Sequence, residues 1–339
     1  MSRAAIVTGV AGQDGSYLTE FLLDKGYTVY GVARYASEPK QERLAHIDHP
    51  NFKLVRGDMT DTSRITNIVN DVAADKTLER IEVYNLAAQS HVKVSFDQPE
   101  WTANVNSLGT LRWIEAIRQA SDKRFRFYQA GTSEMFGKVV ETPQNEKTPF
   151  WPRSPYGVSK VYAYWITKNY REAYGMYACT GILFNHESPR RGEDFVTRKI
   201  TKAIGQKKFP IRLGNLDAKR DWGHAQDYVE AMWHMLQLDE PADYVVASGE
   251  THSIREFVEK AFGFQGRKVE WFGQGDQEVG LDVVTGEVLV SVDPAFYRPA
   301  EVDVLTGDSS EFRKVSGWTP KYSFDDLVRV MVSSDFRGP

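Results

Sequence analysis

One turn near the start of the chain constrains the fold more than any other feature. Residues Thr8–Gly15 have the sequence Thr-Gly-Val-Ala-Gly-Gln-Asp-Gly, between an apolar run and an amphipathic stretch. In a strand, turn and helix unit, glycines let the backbone approach a pyrophosphate, and the first N–H groups of the helix can bind it. Gly9, Gly12 and Gly15 form GxxGxxG, one residue wider than the commonest dinucleotide fingerprint. We predict a dinucleotide site here; a plain strand-to-helix turn is the alternative.

The first half of the chain alternates short apolar runs with amphipathic stretches, which is typical of a parallel sheet covered by helices. The predicted strands are Ala4–Val7, Thr28–Ala33, Phe52–Val55, Glu82–Leu86, Arg126–Gln129 and Cys179–Phe184. The predicted helices are Ser16–Lys25, Ser63–Asp71, Val105–Ala120 and Tyr156–Tyr174. This pattern predicts an α/β fold of the Rossmann type, with a doubly wound parallel sheet.

After Asn185 the alternation becomes less regular, which indicates a smaller C-terminal α/β region. We predict a dinucleotide-binding domain over 1–185, joined by part of 222–250, and a substrate-binding domain over 186–339. Ser253 and Ser323 each stand three residues before an acidic residue, so both are expected to cap helices. Val279–Val284 and Glu287–Val292 flank a Thr-Gly pair and predict a short hairpin.

Composition excludes several classes of protein. The 339 residues include 42 basic and 46 acidic side chains, and a net charge of −4 argues against a nucleic-acid-binding protein. Cys179 is the only cysteine, which excludes an internal disulfide and a cysteine-based zinc site and favours a reducing cytoplasm. No apolar run approaches the roughly 18 residues of a membrane span. No group of residues has convincing metal-ligand spacing, so we expect neither a metal nor a membrane.

An arginine follows the second predicted strand, where an NAD enzyme usually presents an acidic residue to the ribose. The guanidinium of Arg34 favours the 2′-phosphate of NADP; a solvated charge at the strand end is the alternative. Asp58, after the third strand, is a candidate contact for the adenine amine. Leu86, Ala87 and Ala88, after the fourth strand, can let a cofactor lie close to small side chains.

Tyr156 and Lys160 lie one turn apart on a predicted helix that Ser154 can cap. We expect the ammonium and the positive helix end to lower the pKa of the tyrosine towards neutrality and make it a base. A surface Tyr/Lys pair is the alternative. Thr132 follows the fifth strand, at the edge where such sheets bind ligands, and its hydroxyl can hydrogen-bond a substrate alcohol.

Glu134 points to elimination rather than simple oxidation. Oxidation of a hexose at C4 acidifies the proton at C5, and a carboxylate two residues after Thr132 could remove that proton while water leaves from C6. The hydride would then return to C6, and the cofactor would end as it began. A solvated loop acid is the alternative reading of Glu134.

The combination of GxxGxxG with Thr132, Tyr156 and Lys160 resembles the extended short-chain dehydrogenase/reductase family, in which serine is commoner at the position of Thr132. The segments Phe184–Gly192, Phe195–Ile200, Leu213–Gly223 and Arg298–Asp303 narrow the resemblance to the GDP-mannose 4,6-dehydratase family. It covers the chain from Ala4 to about Val332. It implies an NADP-dependent lyase that converts GDP-mannose to GDP-4-keto-6-deoxymannose, working as a homodimer or homotetramer.

The resemblance also implies roles for individual residues. Thr132, Glu134, Tyr156 and Lys160 would be catalytic. The expected cofactor contacts are the turn residues Gly9, Gly12, Gln13, Asp14 and Gly15, then Arg34, Asp58, Met59, Leu86, Ala87, Ala88, Ser90, Trp101, Tyr156, Lys160, His186 and Arg191. The expected GDP-sugar contacts are Ser90, Glu134, Asn185, Lys199, Leu213, Gly214, Lys219, Arg220, Arg298 and Glu301.

Two segments depart from the pattern of the family. Residues 34–39 replace a more basic loop that in relatives reaches the cofactor of a neighbouring subunit, and residues 204–209 look shortened. The sequence is also compatible with three other functions: a reductase of the keto product, a dehydratase of another GDP-sugar, and a non-catalytic NADP sensor.

Overall fold

The computed structural model describes residues 2–35, 42–297 and 304–336. The strands are β1 (Arg3–Thr8), β2 (Thr28–Ala33), β3 (Phe52–Arg56), β4 (Arg80–Asn85), β5 (Phe125–Ala130), β6 (Ala178–Leu183), β7 (Asn185–Glu187), β8 (Ile211–Leu213), β9 (Lys219–His224), β10 (Tyr244–Val246), β11 (Thr251–Ser253), β12 (Val269–Phe272), β13 (Val279–Asp282), β14 (Val288–Val292) and β15 (Val304–Leu305). The helices are α1 (Gln13–Asp24), α2 (Thr62–Ala73), α3 (Val92–Asp97), α4 (Pro99–Ala103), α5 (Gly109–Ala120), α6 (Pro155–Tyr174), α7 (Val196–Gly205), α8 (Ala225–Gln237), α9 (Ile254–Gly263), α10 (Ser310–Ser316) and α11 (Phe324–Asp335). Within these ranges, no helix has both the length and the apolar composition that a membrane crossing requires.

The main sheet has the strand order β3-β2-β1-β4-β5-β6-β10, and every pairing is parallel. Side chains alternate across it: Ala5 and Val7 of β1 pack with α1 and α8, whereas Ala4 and Ile6 pack with α2 and α5. Because both faces are covered, the central strand β1 is apolar at every position from Ala4 to Val7 rather than alternating. The predicted doubly wound α/β fold is confirmed.

The C-terminal region has its own sheet, with the order β12-β13-β14-β8, which packs with α7, α9 and α11 around a separate apolar core. The predicted hairpin is present, but its loop is longer than the Thr-Gly pair, because the strands end at Asp282 and resume at Val288. The predicted caps are also present, as Ser253 and Ser323 both form capping boxes. The chain rejoins the main sheet through α8 and β10, which lie inside 222–250.

Several predicted element ends were wrong, and the errors have physical causes. The first helix begins at Gln13, before its apolar pattern starts, because its first turn faces a cavity instead of the core. The predicted helix Val105–Ala120 is α-helical only from Gly109, because a π-helical turn occupies Asn104–Leu108. There the Asn106 side chain bonds to the backbone of Gln89, through Oδ1 to the N–H at 2.9 Å and through Nδ2 to the carbonyl at 3.0 Å.

Candidate active site

A cavity of about 800 Å³ lies at the carboxyl ends of the six strands β1 to β6. Ligands of open α/β sheets bind at this edge. The predicted site residues that line it are Gly9, Gly12, Gln13, Asp14, Gly15, Arg34, Asp58, Met59, Leu86, Ala87, Ala88, Ser90, Trp101, Thr132, Glu134, Tyr156, Lys160, Asn185, His186 and Arg191. Residues from six strand ends and from the segment after β6 therefore lie around one cavity.

The remaining predicted substrate contacts do not line this cavity. Lys199 lies on α7, where Nζ donates to Arg212 O at 2.6 Å and sits 3.5 Å from the ring centroid of Phe296. Leu213 is buried in the core of the C-terminal region. The others in the described ranges are Gly214, Lys219 and Arg220; Arg298 and Glu301 lie outside the described residues.

The glycine turn is shaped for close approach of the backbone. Gly9 has φ +67°, and a Cβ there would lie 2.9 Å from the backbone of Ala87. A Cβ on Gly15 would lie 2.3 Å from Gly9 O. Helix α1 begins after Gly12 with no side-chain cap, so its first N–H groups can bind an anion. This cradle fits the pyrophosphate of a dinucleotide.

The side chains of Gln13 and Asp14 attach α1 to β7. Gln13 Nε2 donates to His186 O at 3.0 Å, and Gln13 Oε1 accepts from Ser188 Oγ at 2.7 Å. His186 has Nε2 2.9 Å from Asp14 Oδ2 and Nδ1 2.8 Å from Phe184 O. Both ring nitrogens therefore face acceptors, as an imidazolium requires. Burial lowers the pKa of His186, but the Asp14 carboxylate outweighs burial and raises it.

The catalytic candidates converge at the start of α6. Ser154 Oγ accepts from Gly157 N at 3.0 Å and Pro155 is the first residue of the helix, as the sequence predicts. Lys160 Nζ donates to Ala130 O at 2.8 Å and lies 6.0 Å from the ring centroid of Tyr156. The phenol of Tyr156 is hydrogen-bonded to the Thr132 side chain.

The predicted fall in the pKa of Tyr156 is wrong for this structure. Burial raises its pKa to about 12, and the nearby Glu134 charge adds to the rise, against the hydrogen bond from Thr132 and the charge of Arg191. Burial also lowers the pKa of Lys160 to about 8. Desolvation disfavours both charged forms here, and the Lys160 ammonium is directed at a carbonyl rather than at the phenol.

Sequence reasoning missed residues that position these groups. Asn106 Nδ2 donates to Ser159 Oγ at 3.0 Å, and Ser159 Oγ donates to Tyr156 O at 2.7 Å. The Thr8 hydroxyl accepts from the N–H groups of Leu86 and Ala87 at 2.9 and 3.0 Å. An asparagine within a helix and a threonine at a strand end have no local signal of their own, because their partners are remote in sequence.

Residues 6–331 match the protein family described as GDP-mannose 4,6 dehydratase. The chain belongs to this family. It is 55% identical to the GDP-mannose 4,6 dehydratase of Drosophila melanogaster, covering 98% of this chain and 86% of that protein. It is 53% identical to the GDP-mannose 4,6-dehydratase of Sinorhizobium fredii, covering 98% and 96%.

The fold is similar to solved structures of sugar-nucleotide enzymes. UDP-glucose 4-epimerase of Thermus thermophilus in complex with NAD has a TM-score of 0.81 at 25% identity, covering 98% of both chains. dTDP-glucose 4,6-dehydratase of Bacillus anthracis in complex with NAD has a TM-score of 0.80 at 20% identity, covering 98% of this chain and 96% of that one. These two likenesses extend over nearly the whole of each chain.

Proposed function

We propose that this chain dehydrates GDP-mannose to GDP-4-keto-6-deoxymannose with NADP as a nicotinamide cofactor. The observation that carries the proposal is the meeting of Glu134, Thr132 and Tyr156 in the same cavity as the Gly9–Gly15 phosphate cradle. A simple oxidation needs only the hydroxyl, the phenol and the lysine, whereas the carboxylate adds a base for elimination. Family membership supports GDP-mannose as the substrate.

The cofactor would lie along the edge of the sheet, with its pyrophosphate on the first turn of α1. Arg34 supports NADP over NAD, because a guanidinium favours a phosphate at the adenosine ribose. Asp58 already accepts from Thr60 N at 2.9 Å and Thr60 Oγ1 at 2.7 Å, so its carboxylate is engaged by the chain. When bound, the nicotinamide supplies a hydride acceptor at C4 and a hydride donor at C6, with no net redox change.

Tyr156 would take the proton of the C4 hydroxyl while Thr132 orients that hydroxyl. With a pKa of about 12, only a small fraction of the phenol is ionised near neutral pH, and this phenolate is the form that can accept the proton. Arg191 is already a cation that lowers this pKa, and Lys160, one turn further along α6, is a second cation in the cavity. Tyr156 would accept the proton of O4 in the first step and donate it to C5 in the last, so that the protons balance and the phenolate is restored.

Glu134 would carry the elimination. Its carboxylate removes the C5 proton once C4 is a ketone, and the resulting carboxylic acid gives that proton to the C6 hydroxyl. The C6–O bond then breaks and water leaves, with a double bond between C5 and C6. Glu134 is nearly buried, so bulk water does not compete for the proton.

The direct test is to incubate the purified protein with NADP and GDP-mannose and to examine the sugar nucleotide by mass spectrometry. We expect the loss of one water without net reduction of NADP. Unchanged GDP-mannose, with NADPH consumed only when the keto product is supplied, would favour a reductase. Loss of water from a different GDP-sugar alone would favour the other dehydratase. Biological activity that survives Tyr156→Phe with intact NADP binding would favour a sensor.

We propose further that the chain works as a homodimer or homotetramer, in the cytoplasm. Val158, Tyr162 and Trp165 form a stripe on the outer face of α6, and their exposed fractions are 56%, 39% and 53%. Leu108, 42% exposed, extends this apolar surface from the π-helical turn. An exposed apolar face of this kind favours contact with a second copy of the chain. Light scattering should show an oligomer that Val158→Glu dissociates; a monomeric wild type would contradict the proposal.

A further inference from the structure

Arg43 joins two walls of the cavity that are far apart in sequence. It lies in a single helical turn, Glu42–Leu44, and its side chain reaches two backbone carbonyls. Nε donates to Arg190 O at 2.8 Å, and Nη1 donates to Ala11 O at 3.2 Å. Ala11 belongs to the glycine turn and Arg190 to the segment after β7. The guanidinium is therefore held in place at the lining of the cavity.

Arg43 shares the lining of the cavity with two other arginines, whereas Glu193, whose pKa is lowered by Lys202 and also by Arg43, is itself paired with Lys202. Arg34, after β2, and Arg56, at the end of β3, line the same cavity, and Arg56 Nη1 donates to Arg34 O at 2.9 Å. Among the described residues, no carboxylate forms an ion pair with any of these three arginines. Asp58 also lines the cavity, and its carboxylate accepts hydrogen bonds from the N–H and the hydroxyl of Thr60. Guanidinium groups that form no ion pair with a carboxylate of the described residues are suited to a phosphate dianion.

We propose that Arg43 is a specificity-determining residue for the cofactor and supplies, with Arg34, the seat of the 2′-phosphate of NADP. Its two carbonyl contacts hold the planar guanidinium in one orientation, so little side-chain entropy is lost when a phosphate binds. Nη2 donates to no group in the described part of the chain and is available for the phosphate. This inference rests on the proposed use of NADP and names a second residue that selects it.

The test compares the affinities of NADPH and NADH for the full-length protein by fluorescence titration. Arg43→Gln keeps a long side chain with one amide donor but loses the charge and the fork. We expect the Kd for NADPH to rise about 10- to 100-fold, from the loss of charge-assisted hydrogen bonds, and the Kd for NADH to stay within about threefold. Arg34→Gln should act in the same direction.

Arg118→Gln is the matched control, because it makes the same change of charge at a residue paired with Glu115 away from the cavity. It should leave both affinities within about twofold. Equal weakening of NADPH and NADH in Arg43→Gln would mean that Arg43 only supports the two walls, and would overturn the proposal. Unchanged affinity for both cofactors would overturn it as well.

A third measurement separates this inference from the proposed function. If the wild-type protein binds NADPH no better than NADH, the choice of NADP itself is wrong. If the wild type prefers NADPH and the preference survives in Arg43→Gln, only the role of Arg43 fails. Should Arg43→Gln not fold, Arg43→Lys keeps the charge but loses the planar fork, so the Kd for NADPH should rise by a larger factor than the Kd for NADH; an equal rise in both would contradict the proposal.

Discussion

Glutamine at position 134 would keep the shape of the side chain and remove the carboxylate that we assign to the C5 proton. The side chain of Glu134 lies in the cavity with Thr132 and Tyr156, and its charge raises the pKa of Tyr156. Glu134→Gln should therefore affect the two halves of the reaction in opposite senses. Oxidation at C4 should be no harder, because the pKa of Tyr156 falls, whereas elimination should lose its base.

General base catalysis contributes about 10²- to 10⁴-fold to a rate. At about 1.4 kcal/mol for each factor of ten, Glu134→Gln should raise the barrier to elimination by about 3 to 5 kcal/mol. In a single turnover with enzyme in excess, reduced cofactor should then form and persist, whereas in the wild type it should rise and decay. The absorbance of the reduced nicotinamide follows this directly, and mass spectrometry should find a 4-keto sugar that still contains its C6 hydroxyl.

Glu146→Gln is the matched control for this experiment. Glu146 is a partly buried carboxylate outside the cavity that accepts from Val245 N at 2.8 Å, and its replacement should leave turnover within about twofold. The reasoning is refuted if Glu134→Gln releases water from GDP-mannose at the wild-type rate. It is equally refuted if that variant stops the first oxidation, since Glu134 would then act before the ketone forms.

Three further predictions concern the cradle, the phenol and the lysine. Gly9→Ala should lower the free energy of unfolding by about 2 to 5 kcal/mol. The alanine would have to adopt φ +67°, and its Cβ would lie 2.9 Å from the Ala87 backbone. Urea denaturation measures this, and a loss below about 1 kcal/mol would contradict the packing argument. Tyr156→Phe should lower turnover at least about 10²-fold, whereas the Kd for NADPH should stay within about threefold of wild type. Equal losses of turnover and of NADPH affinity would mean that the phenol mainly binds the cofactor. Lys160→Met tests the pKa of the Lys160 ammonium, which burial lowers from the usual 10.5 to about 8. Between these values the unfolded wild type binds more protons than the folded one, so wild-type stability should rise with pH relative to Lys160→Met, by up to about 3 kcal/mol. Parallel stability curves from pH 8 to 10 would show that Lys160 titrates normally.

Local pattern was sufficient for much of the fold. The second strand was predicted with its observed bounds, Thr28–Ala33, and the other five early strands to within two residues, because an apolar run between turn residues depends only on neighbours in sequence. Strand β10 was not predicted, since its three residues carry little periodicity and it joins the sheet only by pairing with β6. The π-helical turn was missed for a similar reason, as it depends on contacts between Asn106 and a remote loop.

The candidate site divides in the same way. Thr132, Glu134, Tyr156 and Lys160 could be selected from sequence, because each stands just after a strand or on the first turns of a capped helix. The positioning contacts of Asn106 and the bridge made by Arg43 could not, since their partners are 17 or more residues away. Gln13 shows the difference within one residue: its place in the glycine turn was evident, but its side-chain bonds to His186 and Ser188 were not.

Sequence alone determined the alternating strands and helices, the glycine turn and the chemical groups available for catalysis, because these follow from the order of residues and their local conformational preferences. Tertiary structure decided how those groups are charged and held. The pKa of Tyr156 depends on burial and on Glu134 and Arg191, which come from other parts of the chain. Solvent exclusion and the distance to a remote charge exist only after the chain has folded, so no local pattern contains them.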